Sequence, residues 1–203
     1  MDAPFPVPRV DVSSWTIKNP DGHTPQMTFD ILKRRRGERE HRCTSYVRAK
    51  LRCWDRPMDA AVPNRDLVAH QLLLPADAPD LFMSPEYLWS IVDQQTDWEG
   101  EPHMLTGPTI WLPNLKSQHV ALRQVAAFAQ AELVDRHGVA AHLIAHAPGR
   151  IAHAADFHVH ILCTARKVTS SGLGTFAQDL LHDGCQTRCK AAWDSRWLEC
   201  RAE

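Results

Sequence analysis

The chain has 203 residues, 44% of them hydrophobic and 23% charged, with a formal net charge of −1. That length suits one domain with a substantial core, and no apolar run is long enough to span a bilayer as a helix, so no membrane insertion is expected. The start, "MDAPFPVPRVDV", lacks a basic region followed by an apolar one, which argues against a secretory signal and makes the six cysteines reduced thiols of a cytoplasmic protein rather than a disulfide framework.

Residues 1–26 are rich in Pro, Asp and Gly and predict an extended N-terminal arm, leaving 27–203 as the folded domain. "MTFDIL" predicts a short strand leading into a basic stretch. Between Lys33 and Arg56 stand ten Lys or Arg against three acids; from Pro57 to Glu101 nine acids stand against Arg65 alone. Such segregation fits a basic face for a polyanion and an acidic lobe turned elsewhere. A solvated basic helix beside an acidic loop is the bland alternative. "REHRCTSYVRAKLRCW" predicts a helix, with Cys43, Tyr46, Val47, Leu51 and Trp54 at i, i+3, i+4 spacing.

"DLVAHQLLLP" predicts a second strand. In "SPEYLWSIVDQQ" Ser84 is placed to cap a helix whose first position is Pro85. "TGPTIWLPN" predicts a short strand and "SQHVALRQVAAFAQAELVDRHG" a long amphipathic helix that stops at His137–Gly138. "VAAHLIAHAPG" and "DFHVHILCTAR" predict two strands of a hairpin, and "GTFAQDLLHDG" and "KAAWDSRWLEC" predict helices. The fold class expected is α+β: a central, largely antiparallel sheet of about five strands with helices packed on one or both faces.

In "DFHVHILCTAR" side chains two apart share a face. His158, His160, Leu162 and Thr164 lie on one side, and Phe157, Val159, Ile161 and Cys163 form the apolar side that must be core. If the preceding strand pairs with this one, His146 comes beside His158 and His160, and three neutral imidazoles become a facial set of metal ligands with open positions opposite. The rival is three ordinary histidines on a half-solvated sheet face. Asp156 is placed to orient one imidazole through its second nitrogen. His142 and His153 read as surface residues. A zinc site at His182, Cys185, Cys189 and Cys200 has irregular spacing, and these read as ordinary helix-face residues.

The residues from "HLIAHAPG" through "DFHVHILCTAR" resemble the MobA/MobL family of plasmid mobilisation relaxases, within the broader HUH endonucleases. His146 matches the family's upstream histidine, His158 and His160 its His-x-His pair, and Thr164 and Arg166 the tail of that strand. "TIWLPNLKSQHVALRQVAAFAQAELVDRHG" is similar to the family's strand, Leu-Pro turn and long helix, and "VAHQLLLPADAPDLFMSPEYLWSIVD" to its strand, Pro-rich turn and Leu-Trp helix. "TSYVRAKL" resembles the helix that carries the nucleophilic tyrosine, which maps that role onto Tyr46. The resemblance runs from about residue 28 to 198. Asp156–Phe157 stand where Asn-Pro is common, and "RRRGEREHRCTSY" replaces the usual Arg-Ser-Ala turn.

The resemblance implies a bacterial, cytoplasmic DNA relaxase that nicks and rejoins one strand at a transfer origin of a plasmid or mobile element for conjugative mobilisation. Tyr46 attacks a phosphate to give a 5′-phosphotyrosine, with Asp156 among the groups placed to help the phenol ionise. His146, His158 and His160 hold a divalent ion, manganese or magnesium in use, with zinc, nickel or cobalt also suited to imidazole. DNA contacts fall to Lys33, Arg34, Arg35, Arg36, Arg48, Lys50, Arg52 and Arg166, and base stacking to Trp54 or Trp111. Partners are single-stranded or hairpin-flanked DNA, accessory mobilisation proteins and a type IV coupling protein. The end of the chain inside a helix reads as a C-terminal truncation of the relaxase domain. A catalytically degenerate DNA-binding protein on the same scaffold is the alternative function.

Overall fold

A computed structural model describes residues 16–18, 27–51, 66–95, 103–151 and 155–201. In chain order the elements are β1 (Thr16–Lys18), β2 (Met27–Lys33), the short pair β3 (Arg35–Arg36) and β4 (Arg39–Glu40), α1 (Cys43–Leu51), β5 (Leu67–Leu73), α2 (Pro85–Gln94) and β6 (His103–Leu112). Then come α3 (Gln118–Ala129) with a π-helical continuation Gln130–Asp135, β7 (Ala141–His146), β8 (Phe157–Thr164), β9 (Arg166–Thr169), β10 (Gly172–Phe176), α4 (Gln178–Leu181) and α5 (Asp183–Arg201). None of the described helices is long and apolar enough to cross a membrane.

Six strands form one sheet in the order β1-β2-β6-β8-β7-β5, and every pairing in it is antiparallel. Three residues of the N-terminal arm thus extend the sheet edge through Thr16↔Leu32 to Lys18↔Asp30. β8 and β7 lie inside the sheet with neighbours on both sides, and every residue of both is buried. An interior strand covered on both faces reads as a continuous apolar run rather than an alternation, and "AHLIAH" and "FHVHILCT" are such runs except for their histidines.

One face of the sheet carries the larger core: Met27, Phe29, Ile110, Leu143, Val159 and Ile161 pack beneath Val125, Phe128 and Leu133 of the long helix and Trp193 of α5. Gly138 ends that helix with φ +68, a conformation costly for any residue with a Cβ, and its N–H reaches the Val134 carbonyl at 2.8 Å. On the opposite face Tyr46 and Val47 of α1 and Trp89 and Val92 of α2 pack on Leu32, Leu105, Ile144 and Leu162. Helices therefore cover both faces. The histidine face, half-solvated on the rival reading, is roofed by α1 and α2.

The helix α2 starts where Ser84 and Pro85 predicted, with the Ser84 hydroxyl accepting the Tyr87 N–H at 3.3 Å. One expectation fails in "GTFAQDLLHDG": Gly172–Phe176 is a strand paired with β9, and helix is confined to Gln178–Leu181 and the first residues of α5. The hairpin satisfies its backbone by pairing and gives the Arg166 side chain a seat. Its guanidinium lies 4.2 Å from the Phe176 ring centroid and donates to the Gly174 carbonyl at 2.9 Å.

Candidate active site

Antiparallel register brings the three histidines together. His146 of β7 and His158 of β8 are direct Cα partners, and His160 follows two residues on, on the same face. The ring centroids are 5.4 Å apart for His146 and His158, 5.5 Å for His146 and His160, and 5.0 Å for His158 and His160. All three are buried, at 5%, 9% and 7% exposure.

Two of the rings, His158 and His160, are hydrogen-bonded through Nδ1, and His146 Nδ1 faces a carboxylate without a hydrogen bond. His158 Nδ1 donates to the Asp156 carbonyl at 2.9 Å. His160 Nδ1 is 2.7 Å from the Thr109 hydroxyl, which in turn donates to Asp30 Oδ2 at 3.3 Å. With Thr109 donating to the carboxylate, its oxygen accepts from His160, so that proton sits on Nδ1. His146 Nδ1 lies 3.4 Å from Asp66 Oδ2, a charge contact longer than a good hydrogen bond. Burial pushes the Asp66 carboxyl up, but His146 outweighs it and holds the group below its ordinary range. Burial also keeps His158 neutral: its pKa is pushed down to about 4, with the Asp156 carbonyl opposing and His146 and Lys50 adding to the shift.

This arrangement leaves the Nε2 atoms as the nitrogens that could ligate an ion. Histidines that bind metals are ordinarily held in this way, through their other nitrogen, by carboxylates, carbonyls or hydroxyls. Imidazoles around a tetrahedral ion with bonds of about 2.0–2.1 Å have centroids about 5 Å apart, the spacing found here. Against this, among the described residues no group of three or more His, Cys, Asp or Glu is disposed to hold a metal ion with its side chains as they stand. Centroid spacing follows from strand register, and rotation of the His146 ring, whose Nδ1 has no hydrogen bond to hold it, is what separates the side chains as they stand from a ligating set. By the chemistry of its donors, the site fits a divalent ion.

Opposite the histidines, α1 carries Tyr46, 1% exposed. One turn later Lys50 places its Nζ 5.4 Å from the Tyr46 ring centroid and 3.5 Å from His160 Nε2. The start of α1 is fixed by Asp93 of α2, whose carboxylate accepts from Cys43 N at 2.6 Å, Thr44 N at 3.1 Å and Thr44 Oγ1 at 2.6 Å. The half-buried Trp111 lies against His158, ring centroids 4.4 Å apart.

The remaining expected residues divide. The carboxylate of Asp156 is exposed, and the residue orients His158 through its backbone carbonyl instead. Lys50 reaches the site. Arg35 and Arg36 are exposed on the β3–β4 hairpin and Lys33 is half-buried at the end of β2. Arg34 donates to the Gln95 carbonyl at 2.8 Å and to Glu40 at 3.1 Å, and Arg48 pairs with Glu86. Arg166 is a correction: it is buried against Phe176 and Gly174 and holds a hairpin together rather than facing a ligand. Arg52, Trp54 and His153 lie outside the described residues.

His142 is also corrected. It is fully buried, its Nδ1 accepts from Trp89 Nε1 at 3.2 Å and its Nε2 lies 3.2 Å from His70 Nδ1. It stays out of the triad because Ile144 separates it from His146 along the face. Cys185 and Cys189 are free thiols in the larger core, with their sulfurs 3.7 Å apart and Cys185 3.9 Å from His137 Nε2.

Three residues placed around the histidines escaped the sequence reading: Asp30, Asp66 and Thr109. Asp30 had a signal, an acid inside the apolar strand "MTFDIL". Asp66 and Thr109 had none, because only sheet order places β5 and β6 beside the histidine hairpin.

Residues 61–198, about two thirds of the chain, match the model of the MobA/MobL family. The match includes the three histidines and Asp66 and leaves Tyr46 and the basic stretch outside it. A solved structure concerned with the molecular basis of vancomycin resistance transfer in Staphylococcus aureus aligns with 64% of this chain and 67% of its own, at a TM-score of 0.52 and 23% identity. That likeness is one of fold. No curated protein matches the sequence.

Proposed function

The chain belongs to the MobA/MobL family, and from that premise we propose that it is a conjugative relaxase. It nicks and rejoins single-stranded DNA at a transfer origin, with Tyr46 as nucleophile and His146, His158 and His160 holding a divalent ion. The observation that carries this reading is the set of three buried imidazoles, two hydrogen-bonded at Nδ1 and the third facing Asp66, on the face over which Tyr46 and Lys50 pack.

When bound, manganese or magnesium (or zinc, nickel or cobalt) supplies positive charge to the non-bridging oxygens of the scissile phosphate. The protein does the rest. Thr109, Asp66 and the Asp156 carbonyl fix the tautomers and ring positions. Tyr46 Oη forms a bond to phosphorus as the bond from phosphorus to the 3′ oxygen breaks, and the phenol proton ends on that oxygen. The 5′-phosphotyrosine keeps the rejoining step open, since the 3′-hydroxyl can attack in reverse. Packing of the Tyr46 ring reduces the freedom it would lose on reaching in-line geometry. Arg35 and Arg36 give the DNA backbone a basic contact whose strength falls with salt. The protein works in the bacterial cytoplasm with accessory mobilisation proteins and a coupling protein.

One observation favours the second reading, DNA binding without cleavage: Tyr46 is 1% exposed. The same experiment decides between them. Purified protein with manganese and single-stranded DNA from the cognate origin is expected to form a covalent adduct visible on a denaturing gel. Tyr46→Phe is expected to lose the adduct and retain binding. An adduct that survives in Tyr46→Phe refutes the nucleophile, and no adduct in the wild type favours the binding protein.

A further inference from the structure

Lys50 meets both halves of the site, with Nζ 3.5 Å from His160 Nε2 and 5.4 Å from the Tyr46 ring centroid. Thr109 holds the His160 proton on Nδ1, so Nε2 carries a single in-plane lone pair. That lone pair accepts from the Lys50 ammonium or binds a metal ion, and it cannot do both. Two cations that close also repel one another in a buried site. Lys50 has a flexible four-carbon stem, so its ammonium can move by several ångströms while α1 stays where Asp93 fixes it.

We propose that Lys50 is an exchange gate at the metal site. Its ammonium occupies His160 Nε2 in the free protein and transfers to a DNA phosphate when single-stranded DNA arrives, which opens the third nitrogen to the divalent ion. DNA and metal then bind cooperatively, and by linkage each raises the affinity for the other by the same factor. This inference rests on the metal-site reading above and adds the order of events at it. Lys50 acts through His160 and is in that sense a positioning residue.

The test is calorimetric titration of manganese chloride at fixed neutral pH into wild type, Lys50→Met, Lys50→Arg and His158→Ala, each with and without an oligothymidylate. Without DNA, Lys50→Met is expected to bind manganese about tenfold more tightly than wild type, equivalent to about 1.4 kcal/mol. Lys50→Arg keeps a cation there and is expected to bind less tightly than Lys50→Met. With oligothymidylate present, wild type and Lys50→Met are expected to converge, so the DNA-induced gain is about tenfold smaller in the variant. A residue that only supported the helix would not raise affinity when removed. Equal or weaker manganese binding by Lys50→Met without DNA overturns the gate while leaving the metal site standing. Manganese binding indifferent to His158→Ala refutes the metal site itself, and the gate falls with it.

Discussion

Replacing His142 by Asn should flatten the acid side of the stability profile. His142 is fully buried beneath Trp89 and beside His70, and burial, then His70, push its pKa from the ordinary 6.5 down to about 3. The folded protein therefore refuses a proton that the unfolded chain accepts near pH 6.5. Stability from this source is fully present above pH 6.5 and is lost as pH falls towards 3. Between pH 7.5 and pH 5 the two pKa values give a loss of about 2 kcal/mol, out of a limit of about 5 kcal/mol at still lower pH. Asn places an oxygen near the position of Nδ1, so the Trp89 N–H keeps an acceptor, whereas an apolar residue would strand that donor at a cost of about 1–3 kcal/mol. Urea unfolding followed by tryptophan fluorescence at pH 7.5 and pH 5 measures both proteins. The wild type should lose about 2 kcal/mol more than His142→Asn over that interval. Parallel losses in the two proteins would show that His142 is not held neutral by the fold.

Three further outcomes are expected. Asp66→Asn removes the charge beside His146 Nδ1 and should weaken manganese affinity about 10- to 100-fold in calorimetry; unchanged affinity would remove Asp66 from the site. At Gly107 a Cβ would lie 1.9 Å from the Ile161 carbonyl oxygen, so β6 and β8 must separate to admit it. Gly107→Ala should cost about 3 kcal/mol or more in thermal unfolding, at the upper end for single substitutions. Arg35→Ala with Arg36→Ala should lower the slope of log affinity against log salt for single-stranded DNA by about 1.4, if each contacts one phosphate; an unchanged slope would move the DNA path away from the hairpin.

Much of the site was legible because periodicity acts locally. The spacing of His158 and His160 fixes their common face whatever surrounds the strand, and the cap at Ser84 with Pro85 defines a helix start without reference to any neighbour. What periodicity does not carry is the order of strands in the sheet. Asp30, Thr109 and Asp66 come from β2, β6 and the residue before β5, and they join the histidines only because β6 and β5 flank the β7–β8 hairpin and β2 lies next to β6. His142 looked like a surface residue because its burial depends on α2 folding over that face. Arg166 reads as a DNA contact through its match to the tail of the family's His-x-His strand; the β9–β10 hairpin that absorbs it is visible only once Phe176 is seen to turn back to it.

The pairing of His146 with His158 at the centre of the sheet has a mechanical consequence. The three imidazoles ride on two strands of one hairpin, braced by β6 on one flank and β5 on the other, so they move as one body. Tyr46 rides on a separate element. The distance between Tyr46 and the imidazoles thus reduces to a single coordinate, the seating of α1 on the sheet. Asp93 clamps the start of that helix and the buried Tyr46 and Val47 seat it on the sheet, so a ligand that draws the Lys50 ammonium away leaves both the coordinate and the histidines in place.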